Sequence, residues 1–137
     1  MLLVDTGVFV SVADRNEPHH LECVELFRSR RDLTVCAPVI PEAAWLVETR
    51  LGPTAEARFL TLVTSDRFTV DLTGPDYQRT IELITAYADL GLGFVDASII
   101  AIAERFSVTT IATHNHRDFA VVRPTHCPAF ELIPLPA

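Results

Sequence analysis

The sequence predicts an α/β domain, with a central parallel sheet of four to five strands flanked by helices on both faces. Three observations predict it. Short, wholly apolar runs such as Leu2–Val4 recur along the chain, the pattern of strands buried on both faces. Between them lie segments whose apolar residues return at helical spacing. The chain has 137 residues, 49% of them hydrophobic and 21% charged. That is enough for one core and too apolar for disorder. No repeat, linker or low-complexity tract divides it, so one domain is expected over residues 1–137.

Taken in order, Leu2–Val4 is the first strand and Val8–Ala13 a short helix broken near Asn16–Pro18. A second helix is expected over His19–Arg31, with Cys23, Leu26 and Phe27 as its apolar stripe. The cluster Arg28, Arg30 and Arg31 suits its carboxyl end as a solvated, dipole-favoured turn. Thr34–Ala37 is the second strand, closed by Pro38. Pro41 suits the first position of a helix running to Leu51, with Ala44, Val47 and Leu51 buried and Gly52-Pro53 as its stop. Ala55, Phe59, Leu62 and Val63 mark another amphipathic helix, and Phe68–Leu72 a third strand. Thr73, with Pro75 and Asp76 behind it, signals a helix start, and Tyr77, Ile81, Ile84 and Ala88 carry that helix to about Leu90. Phe94–Phe106 is apolar almost all round and reads as a buried helix. Val108–Thr113 is a strand, His114–Asp118 a polar loop, and Phe130–Ile133 the last strand.

Composition removes several function classes. A net charge of −7 and a pI near 5.1 disfavour duplex DNA binding through overall charge. All eleven basic residues are Arg, which excludes a Walker-type phosphate loop, a Schiff-base lysine and the lysine of a phosphoacceptor receiver. Gly91-Leu92-Gly93 follows a helical pattern and lacks a third glycine, so it is no dinucleotide fingerprint. No G-x-S-x-G occurs. Cys23, Cys36 and Cys127 form neither a C-x-x-C pair nor a disulfide framework. The start, Met1-Leu2-Leu3-Val4-Asp5, has no basic segment and meets an acid at once, unlike a secretory leader. No apolar run nears the roughly 18 residues of a membrane span. A reducing cytosol is therefore the expected compartment. A mean hydropathy of +0.28 is high for so small a chain and fits a buried interface with a partner.

In an open parallel sheet, ligands bind beyond the carboxyl ends of the strands. Asp5 ends the first strand there, Glu42 opens the helix after the second, Asp96 lies in the first turn of the buried helix, and Asn115 follows the fourth strand. Asp96 stands among Phe94, Val95 and Ala97–Ile100, where a lone carboxylate is costly. Oxygen donors without a convincing His or Cys favour a hard ion, Mg²⁺ or Mn²⁺. Taken singly, Asp5 before Thr6 also reads as a helix cap and Glu42 as an ordinary first-turn acid.

These residues resemble the PIN-domain ribonucleases. The likeness rests on Asp5-Thr6 after an apolar strand, Pro41-Glu42 opening a helix, Val95-Asp96-Ala97-Ser98, and Thr113-His114-Asn115-His116-Arg117-Asp118-Phe119. Order and spacing are similar to the small VapC-type toxins of bacterial toxin–antitoxin pairs, as is Tyr87-Ala88-Asp89-Leu90 ahead of Asp96, and the resemblance covers essentially the whole chain. It implies a single PIN-like domain and metal-assisted hydrolysis of RNA phosphodiesters. It assigns Asp5, Glu42 and Asp96 as ligands of Mg²⁺ or Mn²⁺. Asn115 falls where many members carry Asp, so it binds metal, orients water or contacts phosphate. Asp118 is a further candidate acid, with packing or capping as its other reading. Thr6 and Thr113 are placed to donate to the acids or to a phosphate, and Arg117 to hold RNA. A homodimer silenced by a VapB-type antitoxin is implied as well.

Outside these positions the expectations are plainer. His114, His116, His19, His20 and the pair His126-Cys127 read as surface loop residues, since a zinc site needs a third ligand the sequence does not place. Trp45 reads as core, or as the wall of an antitoxin groove or dimer face. Two rival functions remain. One is a catalytically weak PIN-fold module that binds metal and partners, suggested by Asn115. The other is an aspartate-nucleophile phosphohydrolase, weakened by Gly7 standing where D-x-D needs its second acid.

Overall fold

The computed structural model describes residues 1–65 and 68–134. The expected domain over 1–137 also takes in residues 66–67 and 135–137, which lie outside the described residues. Among the described residues, five strands form one sheet: β1 (Leu2–Val4), β2 (Leu33–Cys36), β3 (Phe68–Val70), β4 (Thr110–Ala112) and β5 (Glu131–Ile133). Their order is β3-β2-β1-β4-β5, every pairing parallel, with Leu2 opposite Leu33 and Leu3 opposite Ile111. Every residue of β1 and β2 is buried, whichever face it points to, so both faces of the sheet centre are covered. The edge strands β3 and β5 keep exposed residues. Strand order reverses at β1, which makes the carboxyl ends of β1 and β4 the crevice of the sheet.

Among the described residues, seven helices connect the strands: α1 (Thr6–Ala13), α2 (His20–Ser29), α3 (Val39–Leu51), α4 (Pro53–Ser65), α5 (Gly74–Ala86), α6 (Phe94–Phe106) and α7 (His116–Val121). Helix α1 packs on α2 and α3, α3 on α4, and α5 on α6, which also meets β2. The seven residues Ala97–Ala103 of α6 are all buried, while Phe94 and Phe106 at its ends are not. At the start of α5, Thr73 and Asp76 form a reciprocal capping box, as the sequence signal predicts.

Several boundaries differ from expectation for local reasons. Helix α3 begins at Val39 rather than Pro41. Pro41 still falls in the first turn, where its missing N–H leaves no bond unmade. The buried stripe of α3 is Val39, Ala43 and Val47, which keeps Val47 of the predicted set but leaves Ala44 half-buried and Leu51 exposed. That places Trp45 on the opposite side, 63% exposed, so it is not a core residue. Helix α5 stops at Ala86, and a 3-10 turn over Ala88–Leu90 ends at Gly91, whose φ of +73° suits a residue without Cβ. The expected loop His114–Asp118 contains the start of α7, because Asn115 caps that helix by accepting from the Asp118 N–H. Helix α2 ends at Ser29, so only Arg28 is in its last turn. Arg30 lies beyond it, bonded through Nε (2.8 Å) and Nη2 (2.6 Å) to the Asp32 carboxylate.

Candidate active site

The crevice gathers the acids because each follows or opens an element that ends there. Apolar β1 delivers Asp5 to its carboxyl end. The Asp5 N–H still bonds the Ala112 carbonyl of β4 at 2.8 Å, which ties the two neighbouring strand ends together. The Asp5 carboxylate is buried and doubly held: the Thr6 N–H donates to Oδ1 and the Thr113 hydroxyl to Oδ2, each at 2.7 Å. Burial raises the Asp5 pKa despite these two bonds, and the Glu42 charge adds to the rise.

Asp96 occupies the first turn of α6. Burial foremost, then the charges of Asp5, Glu42 and Asp118, push its carboxyl up to about 7, against one opposing hydrogen bond from Asn115. Three acids from three other chain segments therefore act on Asp96 at this edge. Glu42, in the first turn of α3, is exposed and makes no hydrogen bond among the described residues.

Asn115 is the hub of the remaining contacts. Its backbone N–H donates to the Thr113 hydroxyl at 2.9 Å. Its side-chain Nδ2 donates to Asp96 Oδ2 and to Asp118 Oδ2, both at 3.0 Å. The amide thus supplies two donors between two carboxylates, a neutral substitute for part of a counter-charge. Asp118 is held below the usual carboxylate range by Asn115 and then by Arg117, whose Nε lies 3.0 Å from Asp118 Oδ1. Asp118 therefore both packs within the loop and faces the site.

The predicted substrate contacts fare differently. Arg117 is 78% exposed and open to solvent beside the acids. Thr6 and Thr113 are both buried, and neither reaches solvent as Arg117 does. Thr113 instead passes a hydrogen bond from Asn115 to Asp5, and the Thr6 hydroxyl has no partner among the described residues.

His114 is also not the surface residue expected. Its Nε2 shares a 2.8 Å hydrogen bond with the Ser11 hydroxyl, and its ring stacks on His19 with centroids 4.8 Å apart. A Cβ on Gly7 would stand 3.2 Å from His114 Cδ2, so the ring rests against bare backbone of α1. Burial, then the His19 charge, holds His114 below the ordinary imidazole range. The residue before Asn115 is thereby anchored to α1. The sequence signal was Gly7 two residues after Asp5, in a helix turn that otherwise has no use for glycine.

The donors are all oxygens, and Asp96 keeps its proton to about pH 7, first because it is buried and then because charges of its own sign stand nearby. Such a set suits a hard divalent cation in charge and chemistry. Among the described residues, no three His, Cys, Asp or Glu side chains close on a common point.

Fold and site together define a small α/β protein with an acidic crevice, and the family follows. A family model described as the PIN domain matches residues 2–123, and the chain belongs to that family. Within it, the chain is 30% identical over 135 residues to Ribonuclease VapC26 of Mycobacterium tuberculosis, covering 97% of this chain and 100% of that one. Solved structures share the fold. VapC20 of Mycobacterium tuberculosis, titled a sarcin–ricin loop cleaving toxin, superposes with a TM-score of 0.75 at 17% identity, over 81% of this chain and 87% of its own. A toxin–antitoxin complex from Klebsiella pneumoniae gives a TM-score of 0.69 at 18% identity, over 95% and 99%.

Proposed function

We propose that this chain is a metal-dependent endoribonuclease toxin that hydrolyses RNA phosphodiester bonds, acts in the cytoplasm as a homodimer and is neutralised by a VapB-type antitoxin. The observation that carries this reading is the convergence of Asp5, Glu42, Asp96 and the Asn115–Asp118 pair on one sheet edge. Its support is a full-length relative that is itself a ribonuclease of the VapC group, together with toxin–antitoxin complexes among the structural neighbours. No helix among the described residues is long and apolar enough to cross a membrane, in keeping with a partner-bound protein off the membrane.

Asp5, Glu42 and Asp96 would hold the Mg²⁺ or Mn²⁺. Such an ion, when bound, activates water and stabilises charge on the phosphate. The chain's own groups do the rest. Thr113 and the Thr6 N–H fix both oxygens of Asp5. Asn115 fixes Asp96, and Asp118 fixes Asn115. Arg117, on the solvent side of this network, offers its guanidinium to an RNA phosphate. The acids repel RNA until their charge is offset, so catalysis requires the cation.

A second reading, a catalytically weak PIN-fold interaction module, is favoured by one feature: Asn115 replaces an acid and ties up Asp96 and Asp118. The two separate in one assay. Antitoxin-free protein is incubated with total bacterial RNA in Mg²⁺ or Mn²⁺, beside EDTA and Asp96→Asn controls. Discrete fragments that vanish in both controls are expected. Intact RNA from a folded protein that still binds Mn²⁺ would favour the module.

A further inference from the structure

A second feature opens at the same carboxyl edge of the sheet, after β2 and β3, and is used by nothing above. Tyr77 of α5 and Phe94 of α6 lie with rings near parallel, 15° apart in plane and 6.3 Å between centroids. Both are half exposed, at 50% and 45%, so neither serves the core. With Ala37, Pro38, Asp71 and Leu72 they line a cleft of about 450 Å³. Its position follows from the chain: Phe94 precedes Asp96 by two residues, and Pro38 is the cap residue of the helix that presents Glu42 in its first turn. The walls are aromatic and aliphatic, and Asp71 is the one charged residue among them. The Asp71 carbonyl takes a bond from Arg105 Nη2 at 3.0 Å, while its carboxylate makes none among the described residues.

Flat π faces with one acceptor at the rim are what an unstacked base requires of a protein. A phosphate gains nothing from aromatic faces, and an anionic ligand would be repelled by Asp71. We propose, on the reading of this chain as a ribonuclease, that the cleft holds one unpaired nucleobase of the RNA next to the scissile phosphate. The base stacks on Phe94 and Tyr77, and Asp71 accepts from its Watson–Crick edge. Guanine suits that carboxylate best, because its adjacent imino and amino groups both donate. The cleft is thus a subsite that selects where the strand is cut.

The test uses the full chain with single-stranded hexaribonucleotides carrying 2-aminopurine, in Ca²⁺ in place of Mg²⁺. Stacking quenches the fluorescence of the bound probe. Phe94→Ala and Tyr77→Ala lose the quenching and bind roughly five- to hundredfold more weakly, the range of one base–aromatic stack. Phe94→Tyr and Tyr77→Phe, which keep the rings, retain both. Competing hexamers that differ in one base report on Asp71: guanine competes best against the wild type and loses that lead with Asp71→Asn. Wild-type quenching and affinity in the alanine variants would overturn the proposal. So would an oligomer that falls apart in those variants while quenching persists, which assigns the face to a second copy. A wild type that cleaves RNA with cation but never quenches the probe fails the cleft alone. One that neither binds nor cleaves any RNA fails the ribonuclease reading itself.

Discussion

At Asp96 two costs meet, burial in the first turn of α6 and the charges of Asp5, Glu42 and Asp118, and together they raise its carboxyl to about 7. An isolated Asp titrates near 3.9. The sign of the linkage follows. In the metal-free protein this group's contribution to stability is full below about pH 4 and is lost as pH rises through about 7. Asp96→Asn removes the charge and keeps the shape. Melted in EDTA at pH 8, the variant should gain about 2–5 °C over the wild type, with the gain vanishing near pH 4. Equal melting temperatures at pH 8 would mean that neither burial nor the neighbouring acids act on Asp96. On the proposed function, cation affinity should have the opposite dependence, rising with pH through about 7 as Asp96 gives up its proton.

The elements that carry these residues are held in place at two points. On one side, α1 supports the site loop through Gly7, against which the His114 ring rests. Gly7→Ala gains helix propensity of up to about 1 kcal/mol and forces the ring aside by a few tenths of an ångström. The expected outcome is a melting temperature within about 3 °C of wild type and ribonuclease activity reduced severalfold. Undiminished activity would sever His114 from the placement of Asn115. On the other side, Glu104 of α6 accepts from Arg79 of α5 through Nε (2.6 Å) and Nη2 (3.0 Å), and from the Thr125 N–H (2.8 Å). Burial alone would raise Glu104, but these donors outweigh it and hold the carboxyl below the usual range. Its stabilisation is therefore present above about pH 4.3 and lost as pH falls further. Glu104→Gln should cost about 1–3 kcal/mol in urea unfolding at pH 7, with the difference narrowing at pH 3.

For the whole molecule, how much could be read from the sequence depends on the range of the interaction. Alternation of apolar strands and helical stripes is local, and it placed all five strands and the main helices. The topological rule for parallel sheets then carried Asp5, Glu42, Asp96 and Asn115 to one edge. What escaped was decided by contacts across the fold. Trp45 is exposed because α3 turns on Val39, Ala43 and Val47, a choice made by its neighbours in α1 and α4. That Thr113 takes Asp5 as its partner, one of the two roles the sequence left open, is decided by β4 lying beside β1, some hundred residues earlier in the chain. His114 is held by Ser11 across a similar separation. The stacking of Tyr77 on Phe94 joins two helices whose spacing no periodicity reports.

The central claim is that four distant segments fold into one cation-dependent site, and Mn²⁺ titration calorimetry at pH 7.5 on the metal-free protein tests it most directly. The account predicts saturable binding in the wild type that is weakened at least tenfold in Asp96→Asn. Mn²⁺ binding of equal strength in the two proteins, or none in a folded wild type, would contradict it.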